Sequence, residues 1–359
     1  MKLKRILLLL LTTSLLFGCK GSKSGDTTES DADVATMDSL TGSYYKIVNL
    51  GGSDLRESFY TDTVNTNDYA AIGRDLQLLS ADHFSTSKYY MSEGQYIDRD
   101  LSNEFLQWKG DYCIQPKKGT VIEDVESPIM FSNLQEQDYY EKSGNSYTLK
   151  GVSIAIILDP CNADLSELST PFTTKTLNKY SKEAIKKMYK YITNSKDDNL
   201  KKIADVPILL TVYEATDANS TLHGHYIYSC YCNGKVGDIK SLDKKYVLFT
   251  SDDAKEIDKT TSDEFTTIKS AIKSASIEAA SIVGEAKYEN GNIQYMIITA
   301  TFNCKTITEL QYLTSLLADQ IDDGFTYDFD CYVKVNTQDG LMAMIIKNKG
   351  STCKSTMLY

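Results

Sequence analysis

Along residues 150–159, KGVSIAIILD, apolar side chains follow one another and several are β-branched. A run of that length and kind predicts a buried strand. In SKEAIKKMYKYI the pattern changes period. Ile185, Met188, Tyr189 and Ile192 recur at helical spacing behind Ser181, a candidate N-cap. DVPILLTVYEA (205–215) predicts a second buried strand, with Pro207 near its start, where proline is tolerated. HGHYIYSCYC (223–232) alternates and predicts a partly exposed one.

The same order returns near the C-terminus. NIQYMIITATF (292–302) predicts a strand. The helix after it opens on the capping box Thr306-x-x-Glu309 and carries Leu310, Leu313, Leu317 and Ile321 on one face. FTYDFDCYVKV then alternates, with Phe325, Tyr327, Phe329, Cys331, Val333 and Val335 on the inward side. Asp339-Gly340 predicts a hairpin, and LMAMIIKNK its returning strand. Another helix, with Phe265, Ile268 and Ile272, follows the capping box Thr261-x-x-Glu264. The expected class is α+β, with antiparallel hairpin-containing sheets, packed helices and a strand-helix-strand-strand unit that occurs twice.

The N-terminus obeys different rules. Lys2, Lys4 and Arg5 precede an apolar stretch from Ile6 to Phe17, shorter than the roughly 20 residues that span a bilayer. A basic start, a short apolar run and a small residue describe a secretory signal. Leu16-Phe17-Gly18-Cys19 resembles the bacterial lipobox, with Phe17 where Ala, Ser or Thr is usual. That resemblance implies a diacylglyceryl group on Cys19 and cleavage between Gly18 and Cys19. Two acyl chains would anchor the chain stably, since each buried CH₂ contributes about 0.8 kcal/mol. Residues 20–40 are rich in Gly, Ser, Thr, Asp and Lys, a composition that stays flexible.

The expected organisation is a signal peptide over 1–18, a polar tether over 19–40, an α+β region over 41–255 and a C-terminal α+β domain over 256–359. A net charge of −11 argues against nucleic acid and against an anionic membrane surface as partners. Eight cysteines, one assigned to lipid, leave seven, and spacing alone selects no pairing among them. His223, His225, Cys230 and Cys232 have a zinc-like spacing. Alternation on one strand directs the two pairs to opposite faces, so no metal is expected. Glu93 and Asp98 stand near Tyr89, Tyr90 and Tyr96 as ordinary acids in an acidic chain. No nucleophile elbow, HExxH or phosphate-binding glycine loop occurs, so no catalytic residue and no cofactor is assigned.

LLSADHFSTSKYYMSEGQYI (78–97) resembles the CamS family, the sex-pheromone lipoproteins of Gram-positive Firmicutes, through His83, Phe84, Tyr89, Tyr90, Glu93, Gly94, Gln95 and Tyr96. SPIMFSNLQEQDYY, DVPILLTVYEA, KKYVLFTSDDA, ITELQYLTSLLADQI and DGLMAMIIKNKG extend the likeness in order. The resemblance implies a lipid-anchored body on the extracytoplasmic face of the cell membrane. It also implies processing by lipoprotein diacylglyceryl transferase and signal peptidase. The signal remnant Leu11, Thr12, Thr13, Ser14, Leu15, Leu16, Phe17 and Gly18 would then be the source of a short apolar peptide. The body is expected to be a non-enzymatic binding module. A transporter's solute-binding lipoprotein or an envelope hydrolase are the competing expectations.

Overall fold

The computed structural model describes residues 34–35, 44–56, 69–108, 110, 112–216, 220 and 222–358. Cys19 and the segment Leu11–Gly18 lie outside the described residues. In chain order, the first half contains β1 (Val34–Ala35), β2 (Lys46–Val48), α1 (Tyr69–Ser80), β3 (Tyr90–Glu93), α2 (Arg99–Leu106) and the small hairpin β4 (Val121–Ile122) and β5 (Val125–Glu126). There follow β6 (Ile129–Ser143), β7 (Ser146–Cys161), α3 (Thr174–Asn194), α4 (Asp198–Ala204), β8 (Ile208–Glu214), β9 (His225–Cys232) and β10 (Lys240–Ser241). The second half contains β11 (Lys244–Phe249), α5 (Asp252–Ile257), α6 (Lys259–Ala275), β12 (Ala279–Glu289), β13 (Asn292–Phe302), α7 (Ile307–Gly324), β14 (Asp330–Thr337), β15 (Gly340–Lys347) and β16 (Lys354–Met357). The class is α+β.

Two large sheets carry the fold. The first has the order β1-β2-β3-β6-β7-β8-β9-β10, the second β11-β12-β13-β14-β15-β16. Six consecutive strands of the first, β3-β6-β7-β8-β9-β10, match the second in direction as well as order. Both sets run antiparallel, antiparallel, parallel, antiparallel, antiparallel. The single parallel step in each needs a crossover, supplied by α3 and α4 in the first half and α7 in the second. The repeat expected from the sequence is therefore real and longer than four elements. The second sheet opens at Lys244, ahead of residue 256, where the sequence reading begins its C-terminal domain. Within the expected tether, Val34 and Ala35 pair with Val48 and Ile47.

Side-chain alternation decides which face each helix covers. On one face of the first sheet, Ile185, Met188 and Ile192 of α3 and Phe105 of α2 pack on Leu134, Ile154, Ile156 and Leu210. On the other, Ile72, Leu76 and Leu79 of α1 pack on Ala155, Ile157 and Leu209. Covered on both faces, β7 has no reason to alternate, and its sequence does not. Burial of each such side chain contributes about 1.5–3 kcal/mol. In the second half, Phe265, Ile268 and Ile272 of α6 join Leu313, Leu317 and Ile321 of α7 on one face of the sheet.

Three local expectations change. Helix α3 starts at Thr174 with Thr173 as N-cap, and Ser181 lies inside it, donating to the Leu177 carbonyl at 2.7 Å. The cap of α6 is Asp258, which accepts from Thr261 N at 3.0 Å, so Thr261 belongs to the first turn. Tyr327 is 50% exposed, because β14 begins only at Asp330. Thr306 does cap α7, accepting from Glu309 N at 3.2 Å.

Candidate functional site

The segment around 83–96 divides between two places. Phe84 is buried, stacks on Tyr139 with ring centroids 4.5 Å apart, and its backbone carbonyl accepts from Tyr45 OH at 2.5 Å. Its ring sits over Gly151, where any Cβ would come within 2.0 Å of a ring carbon. Tyr89 meets Phe84 edge-on at 6.1 Å, and Tyr90 meets Tyr147 at 5.4 Å. These are packing roles.

Glu93, Gly94, Gln95 and Tyr96 form a loop closing over two acids of β6. Glu136 Oε2 accepts from Ile97 N at 2.8 Å and Tyr96 N at 3.2 Å. Asp138 Oδ2 accepts from Gln95 N at 2.9 Å and Tyr140 OH at 3.3 Å. The loop reaches these acids because residue 94 is glycine: a Cβ there would fall 2.4 Å from Glu136 Cβ. Gln95 Nε2 also donates to the Gly51 carbonyl, and Glu93 accepts from Ser53 N at 2.7 Å. Both acids are buried, at 4% and 0% exposure, and Glu136 Oε1 and Asp138 Oδ1 have no hydrogen-bond partner. Burial pushes Glu136 up to about 7. Burial and then the Glu136 charge raise Asp138 well above the usual carboxylate range.

The remaining residue, His83, lines a cleft of about 490 Å³ where the first sheet meets the second. Its ring stacks on Tyr231, 4.2 Å between centroids and 6° from parallel. Leu79, Leu209 and Leu242 supply apolar surface, while Lys240, Asp82 and Asp238 add charge. Lys244 pairs with Glu289 at 3.4 Å. Burial lowers the imidazole, against the pull of Asp82 and with help from Lys240, so His83 is neutral at pH 7. A neutral imidazole can donate one hydrogen bond and accept another.

A buried polar node beside this cleft ties the halves together. Asp75 of α1 accepts from Lys287 Nζ at 3.1 Å, Tyr246 OH at 2.7 Å and Arg74 Nε at 3.0 Å. Arg74 also donates to Tyr246 OH at 2.7 Å. Burial alone would raise the Asp75 carboxyl, but Lys287 and Arg74 outweigh it and hold it below its ordinary range.

The zinc-like residues do not converge. Cys230 and Cys232 are buried in the core against α3, with sulfurs 3.6 Å apart. The His223 ring lies 6.1 Å from Tyr246, and His225 stands 3.9 Å from Glu214. Among the described residues no group of three metal-ligating side chains forms, and the seven described cysteines are free thiols.

The family described as CamS sex pheromone cAM373 precursor matches residues 52–352. The chain belongs to this family. The fold agrees: a crystal structure of a sex pheromone precursor from Lactobacillus salivarius subsp. salivarius UCC118 superposes with a TM-score of 0.79. It is 19% identical, over 91% of this chain and 99% of that one. The C-terminal domain of the sex pheromone staph-cAM373 precursor from Staphylococcus aureus gives a TM-score of 0.66 at 18% identity, covering 82% of this chain and 98% of that one. Among curated proteins none matches the sequence. Within the CamS fold, Tyr231, Lys240, Glu136, Asp138, Asp75 and Lys287 are site or junction residues that sequence reasoning did not single out. The only available signal was the placement of Glu136 and Asp138 in a segment matching the family pattern.

Proposed function

We propose that this CamS-family chain is a lipoprotein held on the extracytoplasmic face of the cell membrane through a diacylglyceryl group on Cys19, with a body that binds rather than transforms its ligand. In this reading, lipoprotein diacylglyceryl transferase and signal peptidase process the N-terminus. The remnant Leu11–Gly18 supplies a short apolar signalling peptide. The anchor is supported by the order of basic residues, apolar run, Gly18 and Cys19. The peptide is supported by the two structural relatives above, both sex pheromone precursors. The observation that carries the binding role is the cleft between the two sheets, lined by Leu79, Leu209 and Leu242 together with charged side chains of both signs. Concave sites with an apolar lining and a few placed polar groups are the usual form of a small-ligand site.

Cys19→Ser is expected to move the protein out of the membrane fraction and to abolish labelled palmitate incorporation. Retention with labelling intact would overturn the anchor. Mass spectrometry of culture supernatant is expected to find a peptide ending at Gly18, and synthetic TTSLLFG or LTTSLLFG to elicit a response in recipient cells. If no such peptide is secreted and neither synthetic form acts, the signalling role fails and the anchor is untouched.

A further inference from the structure

The cleft has a charge pattern that selects among ligands. Lys244 and Glu289, 3.4 Å apart in its lining, largely neutralise each other. Lys240, Asp82 and Asp238 form no ion pair among the described residues, so charges of both signs face the same cavity uncommitted. A purely anionic ligand would meet two uncompensated carboxylates, and a purely cationic one would meet Lys240. The same cleft is lined by Leu79, Leu209 and Leu242 and by the His83–Tyr231 stack. At about 490 Å³ the cavity is near the lower end of the roughly 300–1,000 Å³ of small-molecule sites.

We propose that this cleft binds a short zwitterionic peptide with apolar side chains, its carboxylate on Lys240, its ammonium on Asp82 and Asp238, and its side chains over the leucines and the His83–Tyr231 stack. The assignment rests on the binding role proposed above and specifies its ligand class. His83 serves as a neutral polar contact and Tyr231 as the shelf that holds it. Two of the three cleft-lining leucines, Leu79 and Leu209, belong to the core between α1 and the first sheet, so the apolar surface is rigid and preformed.

The test is calorimetric titration of the full chain with L-leucyl-L-leucine, its N-acetylated form and its C-terminal amide. The free dipeptide is expected to bind with one-to-one stoichiometry, and each capped form at least tenfold more weakly. Lys240→Ala should remove the preference for the free carboxylate and Asp238→Ala the preference for the free amine; both residues are exposed, so neither change threatens the fold. Equal binding of capped and free peptides, binding unaffected by both substitutions, or no binding of any of the three would overturn the ligand class. Hydrolysis of the dipeptide during titration, read by mass spectrometry, would overturn the non-enzymatic reading while supporting the ligand class.

Discussion

Lys287→Met is expected to cost about 3 kcal/mol of stability and to loosen the second sheet from α1. The side chain of Lys287 is 4% exposed, as is that of Asp75, and the two meet at 3.1 Å. Removing one partner of a buried pair leaves an uncompensated charge, typically a loss of 3–5 kcal/mol. Arg74 and Tyr246 still touch Asp75, which places the expectation at the low end of that range. The double variant Asp75→Leu with Lys287→Met should recover most of the loss, because well-packed apolar replacements of a buried pair are often neutral or stabilising. Urea unfolding of the two variants beside the parent measures both effects. A single-variant loss under about 1 kcal/mol, within the range of exposed pairs, would show that the pair does not hold the junction.

The distance of that pair along the chain explains why it was invisible in the sequence. Asp75 and Lys287 are 212 residues apart, and neither interrupts the periodicity of its own element enough to mark it. What could be read was local. Asn292–Phe302 was legible as a strand because its pattern and its bounding turns agree. The leucine face of α7 was legible because Leu310, Leu313, Leu317 and Ile321 recur at helical spacing. The repeat was legible as an order of elements, whereas its length became clear only from strand pairing. The start of helix α3 is hidden in the sequence because TKTLNKY, its first two turns, is mostly polar and contributes few side chains to the core. The Ser181 hydroxyl, a cap by sequence pattern, bonds back to the preceding turn, an alternative open to any serine inside a helix.

The candidate sites divide along the same line. His83 and the loop from Glu93 to Tyr96 were singled out by resemblance. The first lines the cleft and the second closes over buried acids. Tyr231 and Lys240 were not singled out, since they reach His83 only through the pairing of β9 and β10 at the far side of the sheet. Glu136 and Asp138, two apart on a strand, have the spacing of a solvated face. Their burial comes from a loop some forty residues earlier in the chain.

Those two acids give the largest expected dependence of stability on pH. A carboxyl whose proton affinity rises on folding is held more tightly by the native state. Its contribution is complete below the unfolded value and is lost as pH rises through the folded one. For Glu136 this interval runs from 4.5 to about 7, and Asp138 shifts in the same direction. Each tenfold change in a proton equilibrium is about 1.4 kcal/mol, so the acid pair should weaken the fold by on the order of 3 kcal/mol across that interval. Asp75 contributes with the opposite sign, since its lowered value makes its stabilisation present at neutral pH and lost only in acid. The informative measurement is therefore the difference between the parent and Asp138→Asn. The amide keeps an oxygen for the Gln95 N–H and carries no charge, so Glu136 can ionise without a charged neighbour. At pH 8 the variant should be more stable than the parent by at least about 1 kcal/mol, because it no longer carries the Asp138 carboxyl, whose proton affinity burial and the Glu136 charge raise in the fold. At pH 4.5 the two should nearly coincide. Chemical unfolding at several pH values distinguishes the cases. Parallel curves would show that Asp138 does not drive the pH dependence, and a variant less stable at pH 8 would show that the loop over 93–97 depends on the Asp138 charge.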